Sequence, residues 1–552
     1  MAWKIDLRKA YDTVDCQFIH DLLVQFKFPQ KFIAWIDMCV QSTSFSIQIN
    51  GESVGFFEGK RGLRQGDPIS PLLFTLVMEV LSRTLKGLNK SQGYYHHPKC
   101  HRVDLKHLIF ADDLFLFSNG RPSSIAALKE SLDSFLLCSG LAVNSDKSQL
   151  FLAGFSEDNK NLIESLVLAK SSAFPVRYLG FPLTHKRISA FDCSVIVQRL
   201  TGRLKCWSNR FLSRAGRCLL ISSVLQAIVF YWARICFLPK KVLKAINSIC
   251  ANFLWNGHAT GRSCHLLDWS TVCSEKKKGG LGIKNLDIMN DAMVMNQLWD
   301  LDKNNLNVWS EWIKAYWTKG AHWWENDLLT HSSWVLRRLA YCKVLSGKCT
   351  DVVAGRLVWK GEGEGFNVAD TYQTLITRRG DVDWHKLAWN RFNTPRASLN
   401  AVLVARDRIL TKSRLRKMTM NVDPICVLCK KEEETRDHLF FYCSFSCEVI
   451  GNVLSVLGIL NMPVQWHLLI PWFKSLKQDL IRTRIIAAAI SGTIYELWCA
   501  RNNSIFREHY TVPDIVSRKI IWGLKVKIGD LDTNIRKLQV HDRNWLNSLS
   551  WS

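Results

Sequence analysis

The sequence predicts an α/β or α+β fold over residues 1–185, followed by a chain that is mostly helical. Two observations carry the first part: short apolar runs alternate there with amphipathic helical periods, and prolines and glycines punctuate the boundaries. A third carries the second: residues 188–255 read as basic helix, and helical periodicity returns over 470–552. At 552 residues the chain has length for two to four domains. No internal repeat or long low-complexity linker divides it.

Each element has its own signal. Trp3-Lys4-Ile5 reads as a short strand that ends on Asp6. Asp15 caps a helix through Phe26, which Pro29 ends. Phe45 to Asn50 alternates as a strand into Gly51, a hairpin signal with Ser53 to Phe57. Pro71 opens a helix to about Leu88, at the first turn where proline costs no hydrogen bond. The run from Leu108 to Phe117 is apolar except for Asp112-Asp113, so it predicts a β-hairpin with two carboxylates at its tip. Ser123 to Gly140 is a further helix, closed by glycine. From 256 to 390 the chain is Trp-rich with mixed helices, and Lys276-Lys277-Lys278-Gly279-Gly280 reads as an exposed turn. Ile485 to Ile494 is too short to span a bilayer and reads as a core helix, so no transmembrane segment is expected.

Composition narrows the function classes. Hydrophobic residues at 47% and charged residues at 22% are ordinary for a folded domain. A net charge of +25 is not, and it favours a polyanionic partner, nucleic acid first and an anionic membrane second. The excess is localised: Cys193 to Leu267 holds eleven Lys or Arg and no acid. If residues 196–218 form one helix, Arg199, Arg203, Arg210, Arg214 and Arg217 fall within roughly 60° of one another. Leu200, Leu204, Trp207 and Phe211 then make the adjoining apolar stripe. A break at Ser208-Asn209 or a cap at Ser213 makes two helices instead. Eighteen scattered cysteines without a secretory signal fit reduced thiols in an intracellular compartment, the nucleus included.

Two acids inside an apolar run cost several kcal/mol per ion unless a cation meets them, and the run itself supplies none. A divalent metal is the obvious candidate, with Asp6 as third ligand beside Asp112 and Asp113. Together they suggest a magnesium-dependent nucleotidyl-transfer site. Between these acids, Gly62-Leu63-Arg64-Gln65-Gly66-Asp67-Pro68-Ile69-Ser70-Pro71 leads a loop into a helix. Gly66 permits close backbone approach to a ligand, the helix start offers N–H groups to anions, and Arg64 adds a phosphate-seeking fork. A separate cluster, Cys426-x2-Cys429-x8-His438-x4-Cys443, gives four soft donors with tetrahedral reach that favour zinc; Cys447 is an alternative to Cys443.

These blocks resemble the reverse transcriptases, and most closely those of plant non-long-terminal-repeat (long interspersed element type) retrotransposons. The resemblance rests on Lys4-Ile5-Asp6-Leu7-Arg8-Lys9-Ala10-Tyr11-Asp12, Arg64-Gln65-Gly66-Asp67-Pro68-Ile69-Ser70-Pro71 and Phe110-Ala111-Asp112-Asp113. Gly140-Leu141-Ala142-Val143-Asn144 with Lys147-Ser148, and Tyr178-Leu179-Gly180-Phe181-Pro182-Leu183, continue it. It implies an α+β polymerase palm, an antiparallel sheet with helices, over 1–185. A basic helical thumb at 186–260, a connection at 261–380, a zinc-binding domain at 381–450 and a helical region at 451–552 would follow.

Roles follow from the same resemblance. Asp6 and Asp112 would ligate two Mg2+ ions, with Asp113 supporting them. Tyr11 would be the steric gate under the sugar. Arg64, Gln65 and Gly66 would contact the incoming nucleotide and template, Lys147 the triphosphate, and Leu179-Gly180 the primer strand. The basic arginines would ride an RNA–DNA hybrid of RNA template and DNA primer. The cysteine–histidine cluster resembles the zinc domain that follows such polymerases, including Glu434-Thr435 and His438-Leu439-Phe440. Because the chain starts five residues before Asp6, the fingers and an upstream endonuclease are expected to be missing, with weak or no polymerase activity alone. A catalytically inactive RNA- or DNA-binding relic is the runner-up, and an intron maturase a third reading, which the zinc cluster and thumb blocks disfavour.

Overall fold

The computed structural model describes residues 1–529 except 168, 185–186, 209–211, 262–263, 304–306, 319–332, 354–355, 361–364, 377–379, 460–461, 464 and 477–480. The chain forms two compact units. One holds Met1–Arg187, Gln297–Ala340 and Thr350–Val358; the other holds Ile188–Asn296, Tyr341–Cys349 and Trp359–Ser552.

The first unit is built on strands β1 (Ala2–Asp6), β2 (Ser44–Ile49), β3 (Glu52–Glu58), β4 (His107–Phe110), β5 (Asp113–Phe117), β6 (Gln149–Phe151), β7 (Val176–Tyr178) and β8 (Phe181–Leu183). An antiparallel sheet runs in the order β4-β5-β1-β6. Strand β1 alternates, burying Trp3 and Ile5 while Lys4 and Asp6 stay half-buried on the other face. Trp3, Ile5, Leu114 and Leu116 pack with helices Cys16–Gln25, Gln30–Gln41, Ser70–Gly87 and Pro122–Ser139. The opposite face packs Phe115 and Phe151 against Val176, and the β7–β8 hairpin adds Tyr178.

Local chemistry explains the boundaries. The Asp15 carboxylate accepts from the Gln17 and Phe18 amides, Pro71 enters the first turn of its helix, and Gly140 closes another at φ 73. The helix Gln30–Gln41 lies outside the sequence reading, which took Pro29 only as a stop; proline also precedes helix starts without loss of a bond. The ribbon β2–β3 has every residue exposed and, among the described residues, pairs with no other strand.

His107 is held in the first unit with its Nε2 3.0 Å from the Ser82 hydroxyl and its Nδ1 buried. Burial, aided by Lys86 and Lys106, lowers its pKa from 6.5 to about 4. Between those values the unfolded chain binds a proton that the folded chain refuses, so stability falls as pH drops from 6.5 toward 4. We expect denaturation at pH 7 and pH 4.5 to differ less in His107→Gln than in the unaltered chain; an identical pH slope would remove His107 from this account.

In the second unit residues 196–218 follow the two-helix alternative that a cap at Ser213 offers. Ser194–Ser208 ends one, and the Ser213 hydroxyl accepts from the Gly216 amide to start the next at Arg214. That second helix runs unbroken through a π-turn at Ile221–Leu225 to Ile235. Its 22 residues, Arg214–Ile235, make the one helix among the described residues long and apolar enough to cross a membrane by length and composition alone, which core helices can also be. It packs against the helices Lys240–Asn256 and Pro395–Ala405, and Ile221, Leu225, Val229 and Trp232 are buried. Lys276 and Lys277 are exposed as the sequence predicts, but Gly279 and Gly280 are buried, and a Cβ on Gly280 would lie 2.0 Å from the Ser274 carbonyl oxygen. The stretch Ile485–Ile494 lies in the helix Ile481–Phe506, buried along nearly its whole length.

Candidate active site and metal centre

Strand pairing builds the acidic site. Asp6 and Asp113 are direct cross-strand partners at the end of β1 and β5, so their side chains leave the sheet on the same face. Asp112 is exposed at the tip between β4 and β5, where Ala111 takes φ 50 to close the hairpin. The Asp6 amide donates to the Ser148 hydroxyl at 3.2 Å, and its carbonyl accepts from the Asn144 amide at 2.8 Å. The segment that contains Lys147 is thereby held beside the acids, with Lys147 itself exposed.

The acid pair is not left without a cation. Lys4, two residues before Asp6 on the same strand face, puts its Nζ 3.6 Å from Asp113 Oδ1 and donates to the Arg177 carbonyl at 2.9 Å. A cation therefore meets this pair from across the ladder, although none lies in the 108–117 run. Period-two alternation of β1 was the signal that could have found it. Tyr178 is also near: burial first, and the Asp113 charge second, push its phenol pKa up.

The loop before the helix Ser70–Gly87 closes on the segment after β1. The Leu63 amide donates to the Tyr11 carbonyl at 2.6 Å and Gly62 to Val14 at 2.8 Å. Gly62 has φ 91, and a Cβ there would meet the Asp12 carbonyl oxygen at 2.6 Å. Gln65 Nε2 donates to Asp12 Oδ1 at 3.3 Å, while Arg64, Gln65 and Gly66 remain exposed. Tyr11 is half-buried and stacks on Phe74 with ring centroids 4.7 Å apart. Leu179 and Gly180 form the turn of the β7–β8 hairpin, both at positive φ, as a type I′ turn requires.

Of the basic residues, Arg199 and Arg203 are exposed on the helix Ser194–Ser208. Arg214 and Arg217 are half-buried on the next helix, so the five do not form one stripe. Arg210 lies outside the described residues.

The metal centre is compact. Cys426, Cys429, His438 and Cys443 offer donor atoms that all lie within 4.8 Å of one another, the one such group among the described residues. Asp6, Asp112 and Asp113 are not gathered that tightly. Cys426 Sγ lies 4.0 Å from Cys443 Sγ, and Cys429 Sγ lies 3.3 Å from His438 Nε2. Tetrahedral zinc with its usual bond lengths asks for about 3.7 Å between sulfurs, so the set fits. A turn closed by the Cys426 amide on the Glu432 carbonyl, 2.7 Å, positions the first pair. The π-turn His438–Tyr442 carries His438 and delivers Cys443. The contact between the two thiols pushes Cys426 up and holds Cys443 down. Cys447 is exposed and donates to the Phe441 carbonyl, outside the group.

Sequence reasoning missed the support of this centre. His438 Nδ1 faces Glu432 Oε2 at 3.0 Å, on the side away from Cys429. Glu434, fully buried, accepts from Arg501 Nη2 at 2.7 Å, Arg501 Nε at 3.1 Å and the Lys412 amide at 2.9 Å.

Comparison with known proteins adds two findings. A family described as "Reverse transcriptase (RNA-dependent DNA polymerase)" matches residues 1–183, and one described as "zinc-binding in reverse transcriptase" matches 366–449. The chain is 31% identical over 202 residues to the Drosophila melanogaster "Retrovirus-related Pol polyprotein from type-2 retrotransposable element R2DM", which covers 37% of this chain and 18% of that protein. It is 25% identical over 291 residues to the Xenopus laevis "Transposon TX1 uncharacterized 149 kDa protein", covering 50% of this chain and 21% of that one. It is also 38% identical over 111 residues, 19% of this chain, to an uncharacterized mitochondrial protein of Arabidopsis thaliana, of which 87% is covered.

Proposed function

We propose that this chain, which belongs to the reverse transcriptase family of non-LTR retrotransposon Pol polyproteins, works as an RNA-directed DNA polymerase. It would join deoxynucleoside triphosphates to a DNA primer paired with an RNA template. The observation that carries this reading is the in-register pairing of Asp6 with Asp113 beside the exposed tip residue Asp112. Carboxylate oxygens suit a hard ion, Mg2+, and two such ions when bound supply activation of the primer 3′-hydroxyl and neutralisation of the triphosphate. Asp6 and Asp112 would hold them, with Asp113 in support.

Other residues would position the reactants. Tyr11, braced on Phe74, would limit room at the sugar 2′ position. Arg64, Gln65 and Gly66 would line the nucleotide, and Lys147 would reach its phosphates. The tight Leu179-Gly180 turn would grip the primer strand, and Arg199 and Arg203 would follow the hybrid. Cys426, Cys429, His438 and Cys443 would hold structural zinc. The 18 cysteines are free thiols, which suits a reducing compartment, and the nucleus is where such a polymerase meets genomic DNA.

Primer extension on an RNA template with Mg2+ or Mn2+ tests the reading. Asp112→Asn with Asp113→Asn should lower extension by a factor on the order of 10^3 or more. Extension that persists in this variant rejects the assignment. Equal nucleic-acid retention with no extension in either protein would favour the binding relic instead.

A further inference from the structure

The second unit contains a groove of about 540 Å3 between the start of the helix Arg214–Ile235 and the helices Pro395–Ala405 and Ile481–Phe506. That volume lies in the range of roughly 300–1,000 Å3 typical of ligand sites. Among the described residues three arginines line it, Arg214, Arg217 and Arg396, and no aspartate or glutamate does. Four large aromatic side chains, Trp207, Phe253, Tyr495 and Trp498, complete the walls.

The charge balance is unusual for a folded interior. Arg214 and Arg217 are half-buried one helical turn apart, and among the described residues neither makes an ion pair. Arg217 Nη1 reaches only the Leu254 carbonyl oxygen, at 3.5 Å. Desolvation lowers the pKa of both, and Arg217 adds repulsion at Arg214. Holding two desolvated cations together without an acid costs free energy that an incoming anion would return. Forked guanidinium groups suit phosphate oxygens, and the flat aromatic surfaces suit unpaired bases.

We propose that this groove holds unpaired nucleotides of a single-stranded nucleic acid, with Arg214 and Arg217 on the phosphates and the aromatic walls on the bases. A duplex, with bases stacked inside, can offer only its backbone to so narrow a site. Exposed Arg199 and Arg203 lie on the adjoining helix, where a strand leaving the groove would meet further positive charge. The inference does not depend on polymerisation, because the groove contains none of the carboxylates assigned above.

The test is fluorescence anisotropy of the full chain with a labelled oligouridylate of about 15 nucleotides, and with a blunt duplex of equal length. Arg214→Gln with Arg217→Gln should weaken single-strand binding about tenfold and reduce the slope of log Kd against log salt by about 1.4, while duplex binding changes less than about twofold. His258→Glu puts an anion at the exposed rim without removing packing and should also weaken the single strand selectively. Asp112→Asn with Asp113→Asn should bind the single strand as the unaltered chain does, which separates failure of this inference from failure of the polymerase reading. Equal loss on both probes, or unchanged single-strand binding in the His258→Glu chain, overturns it.

Discussion

Removing zinc with a strong chelator should unfold the segment around Cys426 to Cys443 and leave the β4-β5-β1-β6 sheet intact. Three of the four donors, Cys426, His438 and Cys443, are buried, and only a short turn and a π-turn of backbone hold them there. Structural zinc in modules of this size contributes roughly 10–16 kcal/mol of apparent binding free energy at pH 7, which is then folding free energy. Without an ion, the buried Cys426 and Cys443 thiols keep only each other and a few backbone amides as partners. Metal analysis of the full chain should give one zinc, and hydrogen exchange after chelation should show protection lost over residues 424–443. Cys426→Ser should lower the zinc content; unchanged stoichiometry in that variant would remove the ligand assignment.

The second large effect belongs to Glu434 and Arg501, which are 67 residues apart in sequence and meet with 0% and 4% side-chain exposure. Glu434→Ala leaves a guanidinium buried without its anion, with only the Asn502 side chain and the Trp498 ring still beside it. Breaking a buried pair from one side costs about 3–5 kcal/mol. Replacing both partners, Glu434→Leu with Arg501→Met, should cost markedly less than the sum of the single changes, because no charge is then stranded. Denaturant titration of the four proteins reads this directly. Additive losses would mean that the two side chains do not act as a pair.

How much was legible follows from how local each signal is. Asp15, Pro71 and Gly140 act on amides or dihedral angles within their own turn, and those boundaries stand in the structure where the sequence puts them. The Leu108–Phe117 hairpin was legible because two acids break an otherwise apolar run. The acidic site needed only that β1 and β5 be neighbours. What escaped were contacts set by tertiary packing. Lys4 on Asp113 depends on register, and Glu434 on Arg501 depends on how the helix Ile481–Phe506 docks. The sequence left one helix or two open over 196–218, because five arginines at helical spacing mimic one continuous face. A single serine hydroxyl capping Gly216 decides against it.

The exposed ribbon Ser44–Glu58 has a consequence for solution behaviour. Its outer hydrogen-bonding groups face solvent, and Phe56 at 80% exposure, Ile47 and Phe57 stand bare beside them. Such a template invites another copy to zip alongside. Mutual repulsion from the +25 charge opposes that encounter, and added electrolyte weakens the repulsion over about 10 Å at 0.1 M. Brine that strips this molecule from polyanions should therefore also make it clump.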